Sequence, residues 1–166
     1  MTTTDSTLPD NALDSSPVDF AIRLSVRAYE LDVLGHLNQA VYLQYAEHAR
    51  WEMLGEVGVR PNDLVASGVA PVTLRTTVEY FRELRGGDQV DIISAVELEP
   101  GGRTFEIPQS IRKVDGRVSA KVRSVCGIID LSSRRLVADS FSCMRSFSVD
   151  PESLDSLMAA SKLVRP

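Results

Sequence analysis

Apolar and polar residues alternate along most of this chain, which is the pattern of β-strands that bury one face. The first such segment covers residues 20–28. Four longer segments follow, and a turn that contains glycine separates each of them from the next. They cover residues 69–81, 89–98, 103–114 and 117–131. A short further strand at the edge of the sheet is predicted near residues 135–141.

One segment has helical periodicity instead. It begins near Asn38, which fits an N-cap, and ends near residue 56, where Gly55 or Gly58 fits the end of a helix. Its apolar residues spread over more than one narrow stripe, so we predict a long helix that is largely enclosed by other structure. A second helix is predicted to begin at 150–151, where an aspartate cap precedes a proline.

These elements predict an α+β fold in which a curved antiparallel sheet wraps around the long helix. A sheet of long antiparallel strands needs cover on its apolar face, and helix 38–56 is the long helix available. Residues 1–18 are rich in Ser, Thr and Asp and are predicted to be a disordered leader. The globular domain is placed at 19–147, and a C-terminal helix and tail at 148–166.

Composition narrows the class of protein. The formal net charge of −5 argues against non-specific nucleic-acid binding. No apolar run approaches the roughly 18 residues of a membrane span, and the N-terminus lacks the pattern of a secretory signal. The two cysteines, Cys126 and Cys143, do not suggest a disulfide framework, so we expect a reducing, cytoplasmic setting.

A carboxylate stands just ahead of the long helix. Asp32 opens a loop that contains Gly35, a residue free to adopt unusual backbone conformations, and that closes at Asn38. Backbone N–H groups at a helix start are unpaired and partially positive, so they can stabilise a developing oxyanion. A carboxylate beside such donors fits hydrolysis of an activated acyl group. Taken alone, Asp32 fits a turn or capping residue better than a catalytic one, and it is the surrounding motif that favours catalysis.

The residues around this loop resemble the motif of the 4-hydroxybenzoyl-CoA thioesterase family, whose members have the hotdog fold. The family pattern is a tyrosine, an aspartate and a glycine, often His-x-Asn, then a tyrosine and a helix with Glu-x-Ala-Arg. The matching residues are Tyr29, Asp32, Gly35, His36, Asn38, Tyr42, Glu47, Ala49 and Arg50. The resemblance covers about residues 20–145 and implies a hotdog acyl-CoA thioesterase.

The same resemblance implies roles for individual residues. Asp32 would attack the thioester carbonyl or activate water, and the backbone N–H of Gln39 would polarise the thioester oxygen. Arg103 and Thr104 match a segment that helps hold coenzyme A from the facing subunit of a dimer or tetramer. The resemblance further assigns substrate-binding roles to the loop and first helical turn, at Gly35, His36, Asn38 and Tyr42.

Two alternatives within the site stay open. Glu47 is a rival catalytic base, because some hotdog thioesterases use a carboxylate of the central helix; the competing interpretation is an ion pair with Arg50 on the same helical face. His36 and His48 do not share a helical face and no cluster of further ligands accompanies them, so no metal site is predicted.

The sequence therefore predicts a cytoplasmic acyl thioesterase that releases free acid and thiol from an acyl-CoA or an acyl carrier protein. We expect a homodimer or homotetramer, and no cofactor except coenzyme A as part of the substrate. A hotdog dehydratase or hydratase and a non-catalytic module that binds acyl thioesters are the alternatives. The sequence does not specify the acyl group.

Overall fold

A computed structural model describes residues 20–98 and 101–161 of the chain, with side chains described as far as residue 157. The predicted leader 1–18 lies outside the described residues. The strands are β1 (Phe20–Ser25), β2 (Val69–Tyr80), β3 (Gln89–Ser94), β4 (Glu97–Leu98), β5 (Thr104–Lys113), β6 (Val118–Asp130) and β7 (Arg135–Leu136). The helices are α1 (Gln39–Glu56), α2 (Pro61–Ala66), α3 (Ser140–Phe147) and α4 (Pro151–Ser161).

The strands of the described ranges form one antiparallel sheet in the order β1-β3-β5-β6-β2, with β4 beside β5 and β7 beside β6. The glycine turns at 101–102 and 115–116 connect neighbouring strands, β4 to β5 and β5 to β6, whereas the turn at 86–87 joins β2 to β3, which are not neighbours in the sheet. β2 lies at the edge of the sheet, and a bulge between Thr73 and Arg75 interrupts its pairing with β6. The predicted strands over residues 20–131 are confirmed, apart from the break between β3 and β4.

The long helix α1 packs one side against the concave face of the sheet. Tyr42, Tyr45, Ala46, Ala49 and Met53 are buried there, and they join the inward residues of β3, β5 and β6 in the hydrophobic core. The opposite side of α1 is exposed. The helix is thus half covered in the single chain, whereas the spread of its apolar residues predicted a helix largely enclosed.

Two elements differ from the prediction. α2 was not predicted: it is short, and its proline at the first position and buried Leu64 are a weak signal among polar residues. The segment 135–141 was predicted as an edge strand, but the strand ends at Leu136 and α3 begins four residues later. Asp139 caps α3 by accepting from Ser142 N at 3.0 Å, and this local hydrogen bond favours the helix.

The C-terminal helix begins where the sequence predicted it. Asp150 Oδ1 accepts from Ser153 N at 3.1 Å, and Pro151 occupies the first helical position. Leu154 of α4 and Met144 of α3 are buried in the same core cluster as Met53 of α1. The C-terminal helices therefore extend the core beyond the sheet. Within the described residues, no helix is long and apolar enough to cross a membrane.

Candidate active site

The loop before α1 is a tight, internally bonded turn. Asp32 N donates to His36 O at 2.7 Å, and Gly35 N donates to Asp32 O at 3.0 Å. Gly35 has φ +74°, a left-handed conformation that other residues resist, so its place in the motif has a backbone reason. Leu37 N donates to Leu84 O at 2.8 Å, which fastens the loop to the segment that follows β2.

The Asp32 carboxylate is held by the backbone of its own loop. Its Oδ1 accepts from Leu34 N at 2.8 Å and from His36 N at 3.1 Å. These bonds fix the orientation of the half-buried carboxylate, and the described residues supply no hydrogen-bond donor to Oδ2. The second oxygen is therefore available to a ligand or a water molecule.

The chain just before the loop is anchored to α1 through Glu30. The buried Glu30 carboxylate accepts from Tyr45 Oη, from Arg27 N at 2.8 Å and from Arg27 Nη1 at 2.9 Å. Burial raises the pKa of Glu30, but the hydrogen bonds from Tyr45 and Arg27 outweigh it and lower the pKa overall. Burial and the neighbouring carboxylate together raise the pKa of Tyr45 well above its ordinary value. The sequence motif did not identify this anchor.

The start of α1 presents a backbone donor beside the loop. Asn38 caps the helix: its Oδ1 accepts from Ala40 N at 3.0 Å and its carbonyl accepts from Val41 N at 2.9 Å. This confirms the predicted N-cap. The described residues provide no hydrogen-bond acceptor for the N–H of Gln39, the first residue of the helix. That amide is thus an unpaired donor at the positive end of the helix dipole.

A cavity of about 410 Å³ joins these groups. It brings together four residues that the sequence singled out, namely Asp32, His36, Gln39 and Tyr42. Gly35 and Asn38 shape the loop and cap the helix without lining the cavity. Residues from the end of β2 and the segment after it complete the wall. The sequence analysis missed these residues, which are Tyr80, Phe81, Arg82 and Glu83.

Tyr80 connects β2 to the helix start. Its ring meets that of Tyr42 edge-on, with centroids 5.2 Å apart, and its hydroxyl donates to Gln39 O at 3.3 Å. Both contacts join residues about forty positions apart in the chain. No local pattern in the sequence signals such a pairing.

Glu47 and Arg50 do not form the predicted ion pair, since the ion pairs of the described residues do not include a contact between these two side chains. Glu47 is exposed. Arg50 Nη1 instead donates to Gln109 Oε1 and to Ser124 Oγ, each at 3.3 Å. Glu47 and Arg50 both line a second cavity of about 280 Å³. Glu47 does not line the cavity that contains Asp32.

Arg103 and Thr104 lie far from the Asp32 cavity within one chain. Thr104 pairs with Gly127 of β6, and Gly127 pairs with Val72 of β2. Val72 is eight residues from Tyr80 along β2, which corresponds to about 26 Å at the rise of a β-strand. The side chains of Arg103 and Thr104 are exposed and line neither cavity.

The two histidines have different surroundings. His36 lies in the Asp32 cavity and is half-buried. His48 is exposed on α1, and its Nδ1 lies 3.9 Å from Glu52 Oε1. Only His36 is therefore placed to contact a ligand of the Asp32 cavity.

Three comparisons place the chain among known proteins. It is 38% identical over 84 residues to the chloroplastic acyl-acyl carrier protein thioesterase ATL3 of Arabidopsis thaliana, a match that covers 51% of this chain and 44% of ATL3. The chain thus spans less than half the length of that relative. It is 29% identical over 121 residues to the long-chain acyl-CoA thioesterase FadM of Escherichia coli K12, covering 70% of this chain and 87% of FadM.

Comparison with a solved structure identifies the fold. A Staphylococcus aureus protein in complex with CoA superposes with a TM-score of 0.72 at 17% identity, covering 90% of this chain and 87% of the other. The likeness confirms the predicted hotdog fold. A family model described as the Thioesterase-like superfamily matches residues 26–157, which confirms the resemblance first noted around Asp32. The chain belongs to the Thioesterase-like superfamily.

Proposed function

We propose that this chain hydrolyses the thioester of an acyl-CoA or an acyl carrier protein to the free acid and thiol. The observation that supports it best is one cavity bordered by both Asp32 and Gln39. Asp32 offers a carboxylate oxygen, Oδ2, that no described residue engages. Gln39 offers an unpaired N–H at the helix start. Together they supply a base or nucleophile and an oxyanion donor.

The proposed reaction can follow two routes at these groups. Asp32 Oδ2 either accepts a proton from water as the water attacks the thioester carbon, or attacks that carbon itself. In both routes the C–S bond breaks and the thiolate leaves and is protonated; the second route passes through a mixed anhydride, which water then cleaves to the free acid. In both routes the Gln39 amide stabilises the oxyanion, a kind of contact worth about 3–4 kcal/mol.

His36, Asn38 and Tyr42 complete the proposed site in different ways. His36 and Tyr42 line the cavity in which the thioester would sit. Asn38 accepts hydrogen bonds from the backbone N–H groups of Ala40 and Val41. The backbone N–H of Gln39 is thereby left free for the substrate. The proposed reaction uses no metal or redox cofactor. Coenzyme A takes part only as a portion of the substrate.

A second copy of the chain is part of the proposal. β2 is an edge strand, and exposed strand edges are usually paired or protected. Three large apolar side chains on β2 and just beyond it are about half exposed: those of Leu74, Tyr80 and Phe81. Pairing of two copies along this edge would cover these residues and the open side of α1. Arg103 and Thr104 of one copy would then hold the coenzyme for the other.

The substrate is proposed from the relatives together with the site. ATL3 and FadM are named for acyl carrier protein and acyl-CoA thioesters respectively, which share the acyl thioester that the Asp32 cavity would hold. A reducing compartment, the cytoplasm, fits the two unpaired cysteines.

The test is thiol release from a panel of acyl-CoAs and acyl carrier proteins, comparing wild type with Asp32→Asn. We expect turnover on at least one substrate and a loss of about 10²–10⁴-fold in the variant, as for removal of a positioned base. Asp63→Asn, an exposed aspartate of α2 outside both cavities, is the matched control and should retain wild-type turnover.

Two results would contradict the proposal. If Asp32→Asn keeps full activity and Glu47→Gln loses it, the helix carboxylate is the base and the assignment to Asp32 is wrong. If wild type releases thiol from neither class of thioester, the chain is not a hydrolase for them. Tight binding of an intact acyl thioester in that case would indicate the non-catalytic module.

A further inference from the structure

The second cavity combines an apolar wall with one guanidinium group. It has a volume of about 280 Å³ and lies between the middle of α1 and the first half of β2. Trp51, Leu54, Val72, Phe105 and Ile107 supply apolar surface. For scale, a dry apolar cavity of about 150 Å³ is enough to bind benzene. The cavity can therefore hold a substantial hydrocarbon group.

Arg50 lines this cavity together with Glu47, but the two side chains are not paired. No ion pair of residues 20–98 and 101–161 includes it. Its two hydrogen bonds, to Gln109 and Ser124, are long at 3.3 Å and engage neutral oxygens. A guanidinium has five N–H donors, so most of those on Arg50 have no acceptor among the described residues. A half-buried charge in this state favours a ligand that supplies an acceptor.

The acceptors of Arg50 are themselves fixed. Gln109 is 3% exposed, and its Nε2 donates to Ala46 O and to Ser94 Oγ, each at 2.9 Å. Ser124 is buried and bonds to Thr76 Oγ1 at 3.3 Å. These contacts hold the Gln109 and Ser124 oxygens in place, so the guanidinium is oriented before any ligand arrives. A preoriented donor loses less entropy on binding.

The two cavities follow one seam between α1 and β2. The Asp32 cavity borders Gln39 and Tyr80, and the second cavity borders Glu47 and Thr73. Gln39 and Glu47 are eight residues apart, which is about 12 Å along the helix axis, and they lie on the same side of the helix. An acyl chain whose thioester sits at Gln39 can therefore extend along the seam to the second cavity.

We propose that the second cavity receives the distal end of the acyl chain and that Arg50 selects chains with a hydroxyl group there. This inference rests on the proposed thioesterase function. The Arg50 guanidinium only donates hydrogen bonds, and the Glu47 carboxylate on the same cavity only accepts them. A hydroxyl both accepts and donates, so it suits the pair. A terminal carboxylate meets repulsion from Glu47, and a plain hydrocarbon satisfies neither group.

The test compares pairs of acyl-CoAs that differ only in a terminal hydroxyl, at the octanoyl, decanoyl and dodecanoyl lengths. We expect wild type to favour the hydroxylated member in kcat/KM by about 10-fold at the length that reaches the cavity, as for one partly exposed hydrogen bond to a charge. Arg50→Met keeps an unbranched side chain of similar length and should bring this ratio close to one. Arg50→Lys should retain part of it.

Matched controls separate selection from general damage. Arg60→Met alters an exposed arginine outside both cavities and should keep the wild-type ratio. Val72→Phe fills the cavity without touching the Arg50 charge, so the preferred acyl chain should become shorter. This second variant tests the cavity even if Arg50→Met fails to fold.

A binding measurement separates this inference from the proposed function. Calorimetry with S-alkyl-CoA thioethers, with and without the terminal hydroxyl, reports selection without turnover. Selection that depends on Arg50 supports the inference even if no thioester is cleaved. Thiol release with equal ratios in wild type and Arg50→Met overturns the inference and leaves the function intact. A wild-type preference for a terminal carboxylate, or an unchanged chain length in Val72→Phe, also overturns it.

Discussion

Tyr45 of α1 donates a buried hydrogen bond to the carboxylate of Glu30, and this contact joins the central helix to the chain just ahead of the Asp32 loop. The backbone strengthens the connection, because Glu30 O accepts from Asn38 N at 2.9 Å. The loop between residues 30 and 38 is thus held at both ends against the helix start. The relative position of Asp32 and the Gln39 amide depends on this anchor.

Tyr45→Phe is expected to lower both stability and turnover. The substitution removes one donor and leaves a buried carboxylate under-bonded, which costs about 1–3 kcal/mol in the free energy of unfolding. Chemical denaturation measures that loss, and kcat for the best substrate should fall with it because the loop is less well held. Tyr29→Phe is the matched control, since Tyr29 is 81% exposed. Equal stabilities of the two variants would contradict the anchor.

Stability should fall at acid pH through Glu30. Although burial raises its pKa, the hydrogen bonds from Tyr45 and Arg27 bring the folded pKa below the ordinary value of 4.5. The folded state therefore releases this proton more readily, and the stabilisation is present above the unfolded pKa and lost as pH falls through the folded pKa. Denaturation of wild type and Glu30→Gln over this range should show converging free energies of unfolding.

An exposed glutamate provides the control for that experiment. Glu56, at the end of α1, is exposed and takes part in no ion pair among the described residues. The difference between wild type and Glu56→Gln should stay nearly constant over the same pH range. A difference between wild type and Glu30→Gln that also stays constant would show that Glu30 does not titrate as argued.

Gln39→Pro should abolish most of the activity while leaving the helix intact. Proline removes the N–H proposed as the oxyanion donor, and it is well tolerated at the first helical position. The preceding Asn38 has φ −59° and ψ 137°, a conformation compatible with a following proline. We expect kcat to fall by about 10²–10³-fold, as for loss of one oxyanion donor.

Gln39→Ala is the matched variant, because it changes the side chain and keeps the N–H. Its kcat should therefore exceed that of Gln39→Pro by most of this factor. Equal activity of the alanine and proline variants would show that the amide does not act on the thioester. Circular dichroism and a thermal melt establish that both variants keep the helix.

Gly58→Ala should destabilise the protein strongly. Gly58 has φ +72°, and a Cβ there would lie 2.6 Å from Val149 Cγ2 and 2.9 Å from Asp150 N. The strained backbone and the clash together cost at least about 1–3 kcal/mol. Gly68→Ala is the control, since Gly68 has a similar φ of +84° with no atom within 4 Å of the added Cβ. Equal melting temperatures would show that the C-terminal segment yields without cost.

Much of the fold follows from local sequence patterns. The long strands of the sheet were predicted from the alternation of apolar and polar residues, as over 69–81 and 117–131, and from the turns between them. Two helix starts were located by Asn38 and Pro151. The edge strand predicted over 135–141 is confirmed only at Arg135–Leu136, because the Asp139 cap starts helix α3 within the rest of the segment. The side-chain pattern of α1 predicted enclosure, but a single chain covers only one of its sides.

The candidate site divides in the same way. The motif identified Asp32, Gly35 and Asn38 because their spacing fixes a local turn and a helix cap, which depend on neighbours within a few residues. The sequence alone could not show that Tyr80 closes the cavity or that Arg50 turns to Gln109 and not to Glu47. Those contacts join residues about forty and about sixty positions apart. They arise only when the sheet folds around α1, because long-range packing decides between alternatives that are locally equivalent.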